Sequence, residues 1–275
     1  MYYNPEVYMF EPREVWLCLY HLQHDLADYN KDYLMFRRIN FGMILSRGAI
    51  IIQPSDERNV PFGVMVWAVY VFGNNLALSY RMPQPVPLPK ALIDSNAGLM
   101  GAIGLTAPAP HEVGKGNNTA TARRDTIEIA SRDSAMTQPL QADSGSITCF
   151  EDPNLVIRYN FDHRPLDPAR VFTAFLMSNV FCSEYGVGHS INQDVDMEAF
   201  SSDRQVRVRM HSVQEGTGVG TLTWKLASLA LRTIFRHLVM GFQYSRGGFV
   251  DGPRWEAMSF LLDYKGVKVG RGFIG

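Results

Sequence analysis

The composition of the chain changes between residues 83 and 147, and this break constrains the possible folds more than any other feature. Prolines occupy every second position from 83 to 89, and a tract rich in Gly, Ala, Thr, Ser and Asn follows through Gly145. Alternating prolines favour extended polyproline II geometry. We therefore interpret residues 83–148 as a linker or insertion between an N-terminal block, 1–82, and a C-terminal block, 149–275. Inside it, only residues 126–130 alternate well enough to predict a short strand.

The C-terminal block alternates strand patterns with helix patterns. Over residues 205–211, valine and methionine alternate with arginine and histidine, which is typical of a strand with one buried face. Residues 224–238 repeat apolar side chains at helical spacing, and Asp167 followed by Pro168 is a helix start. The predicted elements are a strand at 155–161, a helix from Pro168 to about Cys182, a strand at 205–211, a helix at 224–238, and strands at 258–264 and 267–274 around a turn at Lys265-Gly266.

The N-terminal block repeats that order. Residues 10–16 align with residues 166–172, including an acidic residue followed by proline and a valine followed by an aromatic residue. Residues 49–52 then predict a strand, and residues 61–78 an apolar helix. These matches predict an α+β fold of two related β-α-β-α-β modules that arose by internal duplication, with the helices on one face of each sheet. Chance similarity of two amphipathic helices is the alternative. The apolar stripe of the first helix is Val15, Cys18, Leu19, Leu22 and Leu26.

The C-terminal block resembles a lineage-restricted group of uncharacterised fungal proteins. The resemblance covers about the last 120 residues and lies in three segments: the strand at 155–159, the helix start at 222–224, and the closing segments 258–260 and 265–272. These segments contain strand and turn patterns without catalytic content. The resemblance therefore implies a fold and carries no activity, cofactor or site residue.

Charge and composition limit the classes of partner. Lysine and arginine number 26 and aspartate and glutamate 27, so the net charge is −1 at pH 7. Nucleic acid or an anionic membrane as the main partner would require a cationic excess. The first ten residues do not match a secretory signal peptide, and the longest apolar stretch is interrupted by glycine, proline and asparagine, so we expect a soluble cytoplasmic protein. Thirteen methionines suit contact with a protein partner or a homo-oligomer.

Motifs for cofactors and metals are incomplete. Residues 216–221 are glycine-rich between a predicted strand and helix, but they lack the register of a dinucleotide fold and the Lys-Ser/Thr of a P-loop. Three cysteines lack zinc spacing. His21, His24, Asp25 and Asp28 share one side of the first helix, where a solvated polar face is the more common arrangement than a metal site. We therefore expect no cofactor and no metal.

The strongest candidate site comes from combining the predicted strands. If the helices cover one face of the C-terminal sheet, alternation leaves a set of polar side chains on the other. Should the second sheet pack there, they would form the floor of a cleft. His211 would be the acid or base and Asp263 its orienting carboxylate, and the arginines would bind an anion. The alternative interpretation is that this side of the sheet is an ordinary solvated face. The residues are Arg158, Arg207, Arg209, His211 and Asp263.

Two classes of function follow. The first is a non-enzymatic interaction or scaffold module, which is favoured because the chain lacks a catalytic or cofactor motif. The second is a cofactor-independent enzyme, such as an isomerase, cyclase or lyase, acting on a largely apolar small molecule in a hydrophobic pocket between two sheets. The partner is accordingly a protein or a small molecule, and the sequence leaves open whether the chain is an enzyme.

Overall fold

A computed structural model describes most of both blocks and shows a mixed α+β fold, as predicted. The described residues are 12–35, 39–42, 49–54, 60–79, 90–95, 98–106, 143–185, 196–213, 222–240, 244–245, 248–249 and 253–275. The helices are α1 Pro12–Ala27, α2 Phe62–Ser79, α3 Pro168–Glu184 and α4 Trp224–Met240. The strands are β1 Leu34–Met35, β2 Ile39–Gly42, β3 Ala49–Pro54, β4 Val60–Pro61, β5 Lys90–Ser95, β6 Gly98–Thr106, β7 Ser144–Thr148, β8 Leu155–Pro165, β9 Asp196–Phe200, β10 Arg207–Ser212, β11 Tyr244–Ser245, β12 Gly248–Phe249, β13 Glu256–Tyr264 and β14 Val267–Ile274.

The C-terminal block forms a six-stranded antiparallel sheet in the order β7-β8-β13-β14-β10-β9. The predicted strands and helices of this block are all present. Lys265 and Gly266 have φ angles of 52° and 79°, and two consecutive positive φ values are the geometry of a tight hairpin turn between β13 and β14. The sequence did not indicate β7 and β9. Strand β7 forms a hairpin with the predicted strand β8, and β9 forms a hairpin with the predicted strand β10.

The described residues of the N-terminal block form a four-stranded sheet in the order β2-β3-β6-β5. Two of its strands, β5 and β6, come from the segment interpreted as a linker or insertion, and β7 from the same segment pairs with β8. That segment therefore contributes strands to both sheets. The strand predicted at 126–130 lies outside the described residues.

The two halves meet through their helices. Helix α1 contacts α2, α3 and α4, and α2 packs along α3. Helix α3 lies on β9 and β10, and α4 on β8, while α1 and α2 reach β2 and β6. The helices therefore lie on one face of the six-stranded sheet, as predicted, and form the contact between the halves.

Aromatic rings from both halves fill one continuous core between the helices. Trp16 of α1 stacks on Phe172 of α3 with ring centroids 5.3 Å apart. Tyr20 lies 4.4 Å from Phe235 of α4, and Phe175 lies 5.1 Å from the same ring. Four of these five side chains are fully buried and Trp16 is 6% exposed. Burying large aromatic rings is a dominant source of core stability, so the halves stabilise each other.

Polar side chains also connect three helices inside this core. Gln23 of α1 donates a hydrogen bond from Nε2 to the carbonyl oxygen of Val66 in α2, at 3.0 Å. Asn179 of α3 donates from Nδ2 to Oε1 of Gln23, at 3.3 Å. Both amide side chains are fully buried. A buried amide must be hydrogen-bonded to be tolerated, so this chain of contacts fixes the relative positions of α1, α2 and α3.

Candidate functional site

The side of the six-stranded sheet opposite the helices is here called the open face. Val208 and Met210 of β10 are fully buried beneath the helices, so their neighbours Arg207, Arg209 and His211 project from the open face. Arg207 and Arg209 are each 42% exposed. Strand pairing places Arg158 of β8 and Asp263 of β13 on the same face. The residues predicted to share one face therefore do so: Arg158, Arg207, Arg209, His211 and Asp263.

Arg207 is engaged at the edge of the open face. Its Nη1 donates to Oε1 of Glu198 on β9 at 3.0 Å. Its guanidinium lies 4.6 Å from the ring centroid of Phe273 on β14, a cation–π distance. Both ion-pair partners are about 40% exposed, and such surface pairs contribute little to stability. Arg207 therefore has its charge compensated, and its guanidinium covers the ring of Phe273.

His211 contacts an arginine rather than a carboxylate. Nε of Arg271 on β14 donates to Nε2 of His211 at 2.6 Å. An arginine cannot accept a hydrogen bond, so the proton of the neutral imidazole is assigned to Nδ1. Burial lowers the pKa of His211, and the charges of Arg271 and Arg209 lower it further, while Asp196 opposes them. His211 is therefore neutral at pH 7 and serves as a hydrogen-bond acceptor for Arg271.

The predicted pair of His211 with Asp263 does not form. Asp263 is bound instead by Arg158, whose Nε lies 2.6 Å from Oδ2 of Asp263. The carboxylate side chain is 8% exposed and the arginine side chain 68% exposed. Strand β14 lies between β10 and β13, so two inter-strand spacings of ~4.8 Å separate the two residues in that direction alone. Asp263 cannot orient His211 in this arrangement.

The predicted cleft between two sheets is also absent from the described part of the chain. The cleft required the N-terminal sheet to pack against the open face. Instead, the N-terminal half contacts the C-terminal half through α1 and α2 against α3 and α4, which lie on the opposite side of the six-stranded sheet. Apolar residues drive this choice, because α2 has no charged residue in its 18 positions and is best buried against other helices.

The open face carries excess positive charge on its β9–β10–β14 side. Three arginines project there, Arg207, Arg209 and Arg271, against two carboxylates, Asp196 and Glu198. Glu198 is bonded to Arg207, and the 3.9 Å approach of Asp196 to Nη2 of Arg209 is long for a hydrogen bond. Arg271 contacts no carboxylate among the described residues. This side of the sheet can therefore accept an anion.

Arg271 is a site residue that strict strand alternation fails to identify. Val269 and Arg271 are two residues apart and belong on one face of a regular strand. The pairing of β13 with β14 has an irregularity between Leu262 and Asp263, where β14 holds one extra residue. This bulge allows Val269 to be fully buried while Arg271 is exposed. The regular pairing of β10 with β14 places Arg271 opposite His211.

A second polar cluster occupies the contact between α1 and α4. His24 is 1% exposed, and its Nε2 lies 2.9 Å from Oγ of Ser228. Nη1 of Arg232 approaches Nδ1 of His24 at 3.4 Å and Oδ1 of Asp25 at 3.4 Å. The solvated face expected for this side of α1 is therefore wrong at its two histidines, because α1 is surrounded by the other three helices. His21 is 7% exposed, and burial lowers its pKa well below the usual value.

This cluster combines a serine, a histidine and carboxylates, but its geometry does not suit nucleophilic catalysis. Ser228 is 1% exposed, so a substrate cannot reach its hydroxyl. Asp25 and Asp28 each lie 3.9 Å from Nδ1 of His24, beyond a hydrogen bond to the ring. Within the described ranges, no group of three or more His, Cys, Asp or Glu side chains could hold a metal ion. The cluster therefore joins α1 to α4.

A third cluster surrounds Arg254, two residues before the start of β13. Its Nη2 donates to Asp143 at 2.9 Å and to Glu256 at 3.0 Å, and its guanidinium lies 4.0 Å from the ring centroid of Phe161. Arg254 is 6% exposed. Hydrogen bonds from Arg254 lower the pKa of Asp143. The cluster sets one arginine against two carboxylates, and it connects Asp143, just before β7, with Phe161 of β8 and Glu256 of β13.

Comparisons of the chain with family models, with curated proteins and with solved structures found no match. Of the helices described, none is both long enough and apolar enough to cross a membrane.

Proposed function

We propose that the chain is a non-enzymatic interaction module that binds an acidic segment of a protein partner on its open face. One observation carries the proposal: Arg271 is exposed beside Arg209, and its described hydrogen-bond partner is a neutral histidine. An arginine without a carboxylate on an exposed sheet face is available to pair with an external anion.

Apolar and aromatic side chains next to these arginines support a protein partner. Phe273 is half-buried under Arg207, and Leu261 of β13 is 39% exposed directly opposite Arg271. Arginine and aromatic residues are enriched in protein–protein interfaces, where an apolar centre is surrounded by polar groups. The open face offers this combination on neighbouring strands.

The contacts of the open face do not favour the alternative of a cofactor-independent enzyme. The site predicted for such an enzyme required His211 to be oriented by Asp263 in a cleft shielded from water. His211 is hydrogen-bonded to Arg271, and Asp263 forms an ion pair with Arg158. Arg158 is 68% exposed, which places this part of the face in solvent.

The test uses a peptide of ten glutamates as the probe and a peptide of ten lysines as the opposite-charge control. We expect the full chain to bind the glutamate peptide, with an affinity that falls as salt rises, and to ignore the lysine peptide. Arg271→Ala should weaken binding at least ~10-fold, as expected for one charge-assisted contact.

The matched control is Lys225→Ala, which removes the same charge from an exposed position on α4. It should leave the affinity unchanged. Equal weakening by Arg271→Ala and Lys225→Ala would show diffuse attraction and overturn the proposal, as would no binding of the glutamate peptide at low salt. Chemical-shift changes on adding the glutamate peptide that are confined to β9, β10 and β14 in nuclear magnetic resonance spectra would support the proposal.

We also infer that the two halves arose by internal duplication. The N-terminal sheet has the order β2-β3-β6-β5, and four strands of the C-terminal sheet have the equivalent order β9-β10-β14-β13. In each half a helix precedes the first hairpin and another precedes the second. Shared strand order, pairing direction and helix position support the inference, and an alignment of diverged homologues tests it.

A further inference from the structure

We propose that Arg209, His211 and Arg271 form a binding site for the phosphate group of a phosphorylated serine or threonine in the partner. The inference rests on the proposed function, because it specifies the anion that the open face takes.

The three side chains lie together on two neighbouring strands. His211 of β10 is directly opposite Arg271 of β14, and Arg209 is opposite Phe273, two residues further along β14. Arg209 and Arg271 are therefore diagonal neighbours, whose Cα atoms lie ~7–8 Å apart in an antiparallel sheet. Two long side chains at this spacing can converge on one tetrahedral anion.

Unused hydrogen-bond donors remain on these side chains. Arg271 donates from Nε to His211, which leaves the N–H groups of both its terminal nitrogens without an acceptor among the described residues. Nε of Arg209 and Nδ1 of His211 also have no hydrogen-bond partner in this part of the chain, but both atoms are buried, so the donors open to an anion are the terminal nitrogens of the arginines. The bond to His211 also restrains the guanidinium of Arg271, so less side-chain entropy is lost when an anion binds.

The donors match a phosphate better than a single carboxylate. A carboxylate typically pairs with a single guanidinium. Glu198 pairs with Arg207 in this way. A phosphomonoester carries a charge of about −1.5 to −2 at pH 7 and three strong acceptor oxygens, enough to accept from two arginines together. Recognition of phosphorylated segments by arginine clusters is a common binding mode.

Among the described residues, two carboxylates of β9 face this site. Glu198 lies opposite Arg209 but is bonded to Arg207, which leaves Asp196, opposite His211, as the main competitor. Oδ1 of Asp196 lies 3.9 Å from Nη2 of Arg209, and its side chain is 74% exposed. Displacing it costs little, because exposed pairs at this distance are weak. Removing the charge of Asp196 should therefore strengthen phosphate binding. If Asp196 had only a structural role, its removal would not strengthen binding.

The experiment compares three synthetic peptides of one acidic sequence, with serine, glutamate or phosphoserine at the central position. We expect the phosphoserine peptide to bind the full chain at least ~10-fold more tightly than the other two, the gain of one or more charge-assisted hydrogen bonds. Arg209→Ala and Arg271→Ala should each reduce this preference to less than ~3-fold. Lys225→Ala should preserve it.

Two conservative variants separate recognition from folding. Arg271→Lys keeps the charge but loses the planar fork, so it should reduce the phosphoserine preference while binding of the serine peptide is retained. Asp196→Asn should raise affinity for the phosphoserine peptide. Inorganic phosphate at millimolar concentration should compete with the phosphoserine peptide in the wild type, and this competition should be weaker in Arg209→Ala and Arg271→Ala.

The outcomes distinguish the two proposals. Equal affinity for the three peptides would overturn the phosphate site and leave the acidic-segment module standing. No binding of any peptide would overturn both. A phosphoserine preference that survives Arg209→Ala and Arg271→Ala would place the phosphate elsewhere and overturn the assignment to these residues.

Discussion

Ser228 and His24 meet across the boundary between the two halves, with 2.9 Å between Oγ of Ser228 and Nε2 of His24. Arg232 approaches Nδ1 of the same ring, so Nδ1 is assigned as the acceptor and Nε2 as the donor to the serine. Both residues are 1% exposed. The contact joins α1 to α4 and makes the stability of each half depend on the other.

Ser228→Ala should destabilise the whole chain. The substitution leaves a buried imidazole N–H without a partner, which costs about 1–3 kcal/mol of unfolding free energy. Denaturant unfolding monitored by circular dichroism and by tryptophan fluorescence measures this loss. The control is Ser202→Ala, an exposed serine that should change stability by less than about 0.5 kcal/mol.

A single transition detected by both probes would be expected in both variants, because the aromatic core spans the halves. Separate transitions in the wild-type chain would contradict the shared core. Stability unchanged by Ser228→Ala would show that His24 finds another acceptor.

His237 should make the protein less stable in mild acid. Burial lowers the pKa of His237 to about 4, from an ordinary value of 6.5, and the charge of Arg254 adds to the effect. Between these values the unfolded chain binds a proton that the folded chain does not, so stability falls as pH decreases from about 6.5 to about 4. The loss reaches at most about 3 kcal/mol.

The measurement is the midpoint of urea unfolding at several pH values for the wild type and for His237→Phe. The variant should show a flatter profile between pH 6.5 and 4. It should not be flat, because the buried His21 acts in the same direction. Identical profiles for the two proteins would contradict the assignment to His237.

Arg158 should stabilise the protein by compensating a buried charge. Its Nε lies 2.6 Å from Oδ2 of Asp263, whose side chain is 8% exposed. Arg158→Ala removes this ion-pair partner from a nearly buried carboxylate and should cost about 1–3 kcal/mol. The double variant with Asp263→Asn removes the negative charge and should recover part of this loss, since the penalty belongs to the carboxylate that has lost this partner. Additive losses from Arg158→Ala and Asp263→Asn in thermal unfolding would refute the pairing.

Local patterns were sufficient to predict the helices and most C-terminal strands, because helix and strand periodicity are set by neighbouring residues. They also placed Arg207, Arg209 and His211 on one face. Contacts between distant segments could not be predicted in this way. The partner of His211 depends on the pairing of β10 with β14, which places Arg271 opposite it.

The packing of whole elements was the other part that the sequence did not determine. The histidines of α1 lie on the side with Asp25 and Asp28, which favoured a solvated face. Contact with three helices buries them instead. The proline-rich composition before residue 90 suggested a spacer, yet the strands that follow complete the N-terminal sheet. Strand pairing at long range overrides local composition.

Cys182 should react with alkylating reagents only when the protein unfolds. Burial raises the pKa of the Cys182 thiol to about 12, so the reactive thiolate is scarce at pH 8. Labelling by iodoacetamide, followed by mass spectrometry, should therefore be slow in native conditions and rapid in denaturant.

When the unfolded protein refolds faster than iodoacetamide reacts with it, the labelling rate of Cys182 follows the equilibrium population of the unfolded protein. Ser228→Ala should then accelerate labelling of Cys182 by ~10-fold for each 1.4 kcal/mol of stability lost, and Ser202→Ala should not. Rapid native labelling of Cys182 in the wild type would contradict its burial.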